Sequence, residues 1–286
     1  MQIFVIIENR EMIVKGDKIM WKWEAEGQPR AVVTIIHSAY EHHGWYAWLI
    51  EQLRGEGYHV LTGDLPGHGE LNRNLQAHDE SFERYDLHVK KLMKMAFSYD
   101  LPVFVIGHGL GALLAIQVMR KKYPLAGVIF TSPWLQLKLQ PGKMVNALTS
   151  ISALTSSMKV THEIDIAMLT KDSEKIETII DDIPYNTTVS VKWYRELQLL
   201  QRDITILMTH KFPNVPVLVM TGENDPIIDL TASKKWLYQQ KLSEVHMKEW
   251  ANCSHSLFHE PERDTIFLFM VDYMNNVLRS IGYIVN

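Results

Sequence analysis

Pro102-Val-Phe-Val-Ile106, Gly107-His-Gly-Leu-Gly111 and Ala112-Leu-Leu-Ala-Ile-Gln-Val-Met-Arg120 follow one another without interruption. The first run is short, β-branched and apolar on both faces, which predicts a strand buried in a parallel sheet. The last is rich in Ala, Leu and Met and predicts a helix from Leu110 to Lys122. Three glycines sit in the turn between them. Side chains at 107 and 111 would collide with a neighbouring strand and helix if the turn were sharp. A phosphate-cradling reading fails, because neither G-x-G-x-x-G nor a P-loop lysine is present.

The same alternation extends in both directions. Ala31–His37 and Tyr58–Thr62 read as strands, with a helix from Trp45 to Arg54 between them, closed by Gly55 and Gly57. Ser81 to Ser98 reads as a helix with Phe82, Tyr85, Leu87, Val89, Leu92 and Met95 or Phe97 on its apolar side. Leu125–Thr131, Val215–Thr221 and Val245–Trp250 read as further strands, with helices at Leu230–Gln240 and Arg263–Ser280. Strand–helix alternation predicts an α/β fold with a mostly parallel twisted sheet and helices on both faces. Between 134 and 211 the rhythm lapses into helical spacing without a convincing core strand. Met144, Leu148, Ile151, Leu154 and Met158 share one helical face there. The expected organisation is a core of residues 1–133 and 212–286, with 134–211 as a helical cap insertion over the carboxyl edge of the sheet.

Composition narrows the function. The chain has 286 residues, 47% of them apolar, a net charge of −4 and one cysteine, Cys253. The size suffices for one large core. The charge and the lack of a Lys/Arg-rich run argue against a nucleic-acid partner. A single cysteine allows no intrachain disulfide, which fits a reducing compartment. The apolar N-terminal run is too short for a signal peptide, and no stretch reaches the roughly 20 apolar residues that span a bilayer. A cytoplasmic protein with at most peripheral membrane contact is expected. Thirteen histidines invite a metal reading at His37, His42, His43 and His68, but their spacing matches no zinc pattern. Neither a metal nor another cofactor is expected. Cys253 reads as buried packing.

The strand–turn–helix around Gly109 matches a nucleophile elbow, G-x-S-x-G, except that glycine stands where the serine belongs. Four other segments agree. His37-Ser-Ala-Tyr-Glu-His-His-Gly-Trp-Tyr46 resembles a His-Gly-x-x-Glu-His-x-Gly-Arg-Tyr loop, and Asp64-Leu-Pro-Gly-His-Gly69 an Asp-x-x-Gly-His-Gly loop. Gly222-Glu-Asn-Asp225 and Asn252-Cys-Ser-His255 each follow a strand. Together they resemble the α/β-hydrolases of the lysophospholipase and monoacylglycerol lipase group, over nearly the whole chain from about Met20. The resemblance implies a carboxylic-ester hydrolase for single-chain lipid esters. In it Asp225 orients His255, His255 is the general base, and the N–H groups of Ala39 and Leu110 form the oxyanion hole. It further implies that the insertion caps an acyl tunnel, so Met144, Leu148, Ile151 and Trp193 become candidate substrate contacts.

The chain departs from the pattern at Gly109, at Ser38 (usually glycine), at Trp45 (usually arginine) and at Glu70 (often serine). Removing a hydrolase's serine costs about 10⁶ in kcat, roughly 8 kcal/mol. Efficient acyl-enzyme turnover through the elbow is therefore not expected. The alternatives are a non-catalytic lipid-binding protein, and His255/Asp225 chemistry without a serine. Ser38 and Ser132 read as structural, since neither lies on an elbow. Gly109 is either a deliberate knock-out or native divergence; the accompanying changes at Ser38 and Trp45 favour the second.

Overall fold

The computed structural model describes residues 3–7, 10–14, 19–72, 74–139, 158–182, 185–207 and 212–283. In chain order the strands are β1 (Ile3–Ile7), β2 (Arg10–Val14), β3 (Ile19–Trp23), β4 (Ala31–Ile36), β5 (Tyr58–Gly63), β6 (Val103–His108), β7 (Gly127–Thr131), β8 (Lys159–Thr161), β9 (Thr188–Ser190), β10 (Val217–Gly222) and β11 (Val245–Trp250). The helices are α1 (Ala47–Gly55), α2 (Phe82–Ala96), α3 (Leu110–Arg120), α4 (Ser173–Asp181), α5 (Val191–Arg202), α6 (Leu230–Gln239) and α7 (Arg263–Ser280). Nine strands form one sheet in the order β1-β2-β3-β5-β4-β6-β7-β10-β11. From β5 to β11 every pairing is parallel, whereas β1, β2 and β3 add to the edge antiparallel.

The parallel strands β4 to β10 are buried along their whole length, because helices cover both faces. On one side α2 and α3 pack Tyr85, Val89, Leu92, Leu113 and Ile116 against Val32, Val105 and Val128. On the other, α1 and α7 pack Leu49, Leu53, Ile266, Met270 and Met274 against Val33, Phe104 and Ile129. Edge strand β11 is only partly covered.

Three details differ from the sequence expectation. Leu87, assigned to the apolar side of α2, is 43% exposed; the buried stripe runs through Tyr85, Val89, Leu92 and Ala96, at three- and four-residue steps that leave Leu87 outside. Helix α1 starts at Ala47, after a 3₁₀ turn over His43–Tyr46, so Trp45 precedes it. The stretch expected to be a helical insertion contains strands as well: β8 and β9 pair as a small antiparallel ribbon apart from the main sheet. Ribbons of three residues are too short to show a sequence period.

Candidate active site

The site is assembled at the carboxyl ends of β4, β6, β7, β10 and β11, where an open α/β sheet places its ligands. The turn after β6 is as tight as its glycines suggest. A Cβ on Gly107 would lie 2.7 Å from the Ala112 Cα, and one on Gly111 would lie 2.0 Å from the Ile36 carbonyl oxygen. Gly109 itself has φ 52° and ψ −113°, a conformation costing a non-glycine residue about 1–3 kcal/mol.

Asp225 and His255 meet across this turn, both essentially without solvent exposure. The His255 Nδ1–H donates to Asp225 Oδ2 at 2.7 Å, while Asp225 Oδ1 accepts from the amides of Ile227 at 2.8 Å and Ile228 at 3.2 Å. Burial alone would raise the Asp225 carboxyl; the facing His255 and the two amides outweigh it and hold the carboxyl below its ordinary range. Ser132, with φ 43°, donates its hydroxyl to the His255 carbonyl at 2.7 Å, a bracing role.

Two side chains close this arrangement. The indole N–H of Trp134 donates to His255 Nε2 at 3.1 Å, which leaves the imidazole proton on Nδ1. The Leu110 N–H, at the start of α3, donates to Ser38 Oγ at 3.1 Å. Both groups converge on the direction an elbow side chain would take. A Cβ on Gly109 would lie 2.1 Å from Ser38 Oγ and 3.0 Å from Trp134 Nε1. Trp134 is bound on all sides, since its own N–H donates to the Gly109 carbonyl and its carbonyl accepts from Gln201 of α5. Sequence reasoning missed Trp134. The available signal was its place directly after β7, the strand beside the elbow.

The loop that carries Ser38 is pinned by Glu41. Its carboxylate accepts from the Ser38 N–H at 3.0 Å and the Tyr46 hydroxyl at 2.6 Å, and lies 3.4 Å from His108 Nε2. All three partners are buried. Burial opposes both charges, yet the pairing prevails: the Glu41 carboxyl is pushed well down and the His108 imidazole is raised. His108, the elbow residue between two glycines, thus faces Glu41 in a site whose resemblance calls for arginine at position 45. Trp45 instead stacks on Tyr185 and donates its indole N–H to Asp182 at 3.2 Å.

The other nominated residues fall as follows. Ala39 lies in the Ser38 loop, and its N–H has no hydrogen-bond partner among the described residues. Trp193 is fully buried in α5, donates to the Tyr85 hydroxyl at 2.9 Å and touches Tyr40, which in turn packs on Trp134. Met144, Leu148 and Ile151 lie outside the described residues. Cys253 is buried with its thiol pushed up to about 12, first by burial and then by Glu262 and Glu260. Among the described residues, His42, His43 and Asp64 bring ligand atoms within 4.8 Å of one another, but the histidines already bond to Asp182 and Asp64. A cavity of about 30 Å³ lies between Tyr40, His68 and His78, and another of about 10 Å³ beside His108 and Ser256. These hold water-sized groups, not an acyl chain.

Comparison with known proteins adds to this geometry. A phospholipase, YtpA of Bacillus subtilis (strain 168), is 39% identical over 251 residues, covering 87% of this chain and 96% of the relative. The monoglyceride lipase of Homo sapiens is 25% identical over 245 residues, covering 83% and 79%. The crystal structure of the Paleococcus ferrophilus monoacylglycerol lipase superposes with a TM-score of 0.77 at 22% identity, over 90% of this chain and 99% of that one. No described helix is long and apolar enough to cross a membrane. The family model described as serine aminopeptidase, S33, matches residues 27–262, and with the fold and relatives above it establishes that this chain belongs to that α/β-hydrolase family of lipase- and esterase-type scaffolds.

Proposed function

We propose that this chain is a carboxylic-ester hydrolase scaffold for single-chain lipid esters, of the lysophospholipase or monoacylglycerol lipase kind, with its elbow route disabled by Gly109. The observation that carries the reading is the buried Asp225–His255 pair at 2.7 Å, facing a turn whose φ of 52° is strained for any side chain. Outside catalysis such a turn favours glycine, and a buried imidazole–carboxylate pair has no obvious structural need to face it. In this reading His255 is the base, Asp225 its orienting partner, and the amides of Ala39 and Leu110 the oxyanion donors. Residues 134–211 are the proposed cap, and Met144, Leu148, Ile151 and Trp193 the proposed substrate contacts. The protein works in the cytoplasm, with peripheral membrane contact to reach its lipid.

The test restores the elbow. Because Ser38 Oγ occupies its side-chain space, Gly109→Ser must be combined with Ser38→Gly. The double variant should react with a fluorophosphonate probe at position 109 and hydrolyse a p-nitrophenyl ester, and His255→Ala should abolish both. A folded double variant inert to probe and ester refutes the reading. The Trp134 and Ser38 contacts favour a second reading, a lipid-binding protein without turnover. Mass spectrometry of lipids co-purifying with the unaltered chain separates the two: an intact bound ester supports binding alone.

A further inference from the structure

We infer that Ser38 supplies the nucleophile this site lacks, its hydroxyl having taken over from the oxyanion loop the space of the missing elbow side chain. The inference rests on the hydrolase reading above and deepens it. Relative to the family pattern the chain has exchanged two residues, serine for glycine at 38 and glycine for serine at 109. The exchange is also spatial. Ser38 Oγ lies 2.1 Å from where a Cβ on residue 109 would stand, within the volume an elbow serine would fill.

The environment of that oxygen suits attack. Ser38 is 1% exposed, and its oxygen accepts the Leu110 N–H at the N-terminus of the eleven-residue α3. Positive helix-end potential stabilises negative charge as it develops on oxygen. No acceptor for the hydroxyl hydrogen is found among the described residues. The backbone is held by the Ser38 N–H bond to Glu41 and by the His37 Nδ1–H bond to the Ser38 carbonyl at 2.7 Å. The base stands on the far side of the same gap. Trp134 Nε1 is 3.0 Å from the position of the absent Cβ and 3.1 Å from His255 Nε2. In the inferred reaction substrate displaces the indole, which frees the Nε2 lone pair to accept the Ser38 proton. Two other buried nucleophiles, Ser132 and Cys253, are committed elsewhere: Ser132 Oγ donates to the His255 carbonyl, and the Cys253 thiol lies toward Glu262.

The chemistry balances as acyl transfer. As Ser38 Oγ bonds to the ester carbonyl carbon, its proton passes to His255 Nε2, and the carbonyl oxygen becomes an oxyanion held by the N–H of Ala39 and by that of Leu110, which transfers to it from Ser38 Oγ. Collapse breaks the bond to the alcohol oxygen, which leaves with the proton from Nε2, and the acyl group remains on Ser38. Water then gives a proton to Nε2 and attacks the acyl carbon. Ser38 leaves as the alcohol, taking that proton back.

The experiment exposes the unaltered chain, Ser38→Ala, Ser132→Ala and Trp134→Phe to a long-chain fluorophosphonate, then maps adducts by peptide mass spectrometry. The expected result is an adduct on Ser38 in the unaltered chain, abolished in Ser38→Ala, retained in Ser132→Ala and formed faster in Trp134→Phe. No adduct on Ser38 in the unaltered chain and in Trp134→Phe overturns the inference. The Ser38→Gly/Gly109→Ser double variant separates the failures: if it labels at 109 while Ser38 does not react, the scaffold is competent and only the relocated nucleophile is wrong. If neither labels, the hydrolase reading fails as well.

Discussion

The close approach of Ser38 to the elbow predicts a measurable energetic coupling between positions 38 and 109. Gly109→Ser alone imposes backbone strain of about 1–3 kcal/mol at φ 52°. It also drives Ser38 Oγ away from a Cβ that would stand 2.1 Å from it. Moving Ser38 off its rotamer costs about 0.5–1.5 kcal/mol, and breaking its bond to the Leu110 N–H costs about 1 kcal/mol more. The single variant should therefore lose about 3–5 kcal/mol in total. When Ser38→Gly is already present the collision with Ser38 vanishes, and the added cost falls to the strain and the 3.0 Å contact with Trp134 Nε1, which both backgrounds share. The two substitutions should be less damaging together than their sum, by about 2 kcal/mol. Urea unfolding of the unaltered chain, both single variants and the double variant measures this directly. Additivity within about 0.5 kcal/mol would refute the claim that Ser38 fills the elbow's side-chain space.

Other outcomes follow from the same contacts. Glu41→Gln should destabilise by about 3 kcal/mol by breaking a buried pair. The raised His108 contributes stability below its ordinary 6.5 that is lost as pH rises through its folded value, and the depressed Glu41 contributes above its ordinary 4.5; the stability difference in urea should peak between these pH values. A difference that is flat with pH would show that the pair is not ionised. Trp134→Phe should cost about 1 kcal/mol and speed diethyl pyrocarbonate modification of His255, read by peptide mass spectrometry; an unchanged rate would mean that the indole does not cover Nε2. Gly111→Ala, whose Cβ would meet the Ile36 carbonyl at 2.0 Å, should lower stability by about 3 kcal/mol, and a neutral urea midpoint would contradict the tight turn.

The parallel sheet was legible because its strands are uniformly apolar and each is followed by an amphipathic helix, so periodicity and connection rules suffice. The meeting of Asp225 and His255 at one turn was legible through motif order, since each motif follows a strand and strand ends converge on one edge. Trp134 was not legible: a tryptophan after a strand looks like packing until its ring nitrogen is located. Neither was the partnership of Glu41 with His108, which lie 67 positions apart (41 to 108) in sequence and make an ion pair only because β4 and β6 are neighbours. Strands β1 to β3 carry no motif, and their pairing depends on an edge that no local signal announces.

Trp134 has one further consequence. It is fastened by its carbonyl to Gln201 of α5 and by its ring to His255. Any displacement of α5 therefore pulls on the residue whose indole caps His255 Nε2. The seating of α5 and the cover over the His255 lone pair are thereby linked mechanically, so a shift of one is felt at the other.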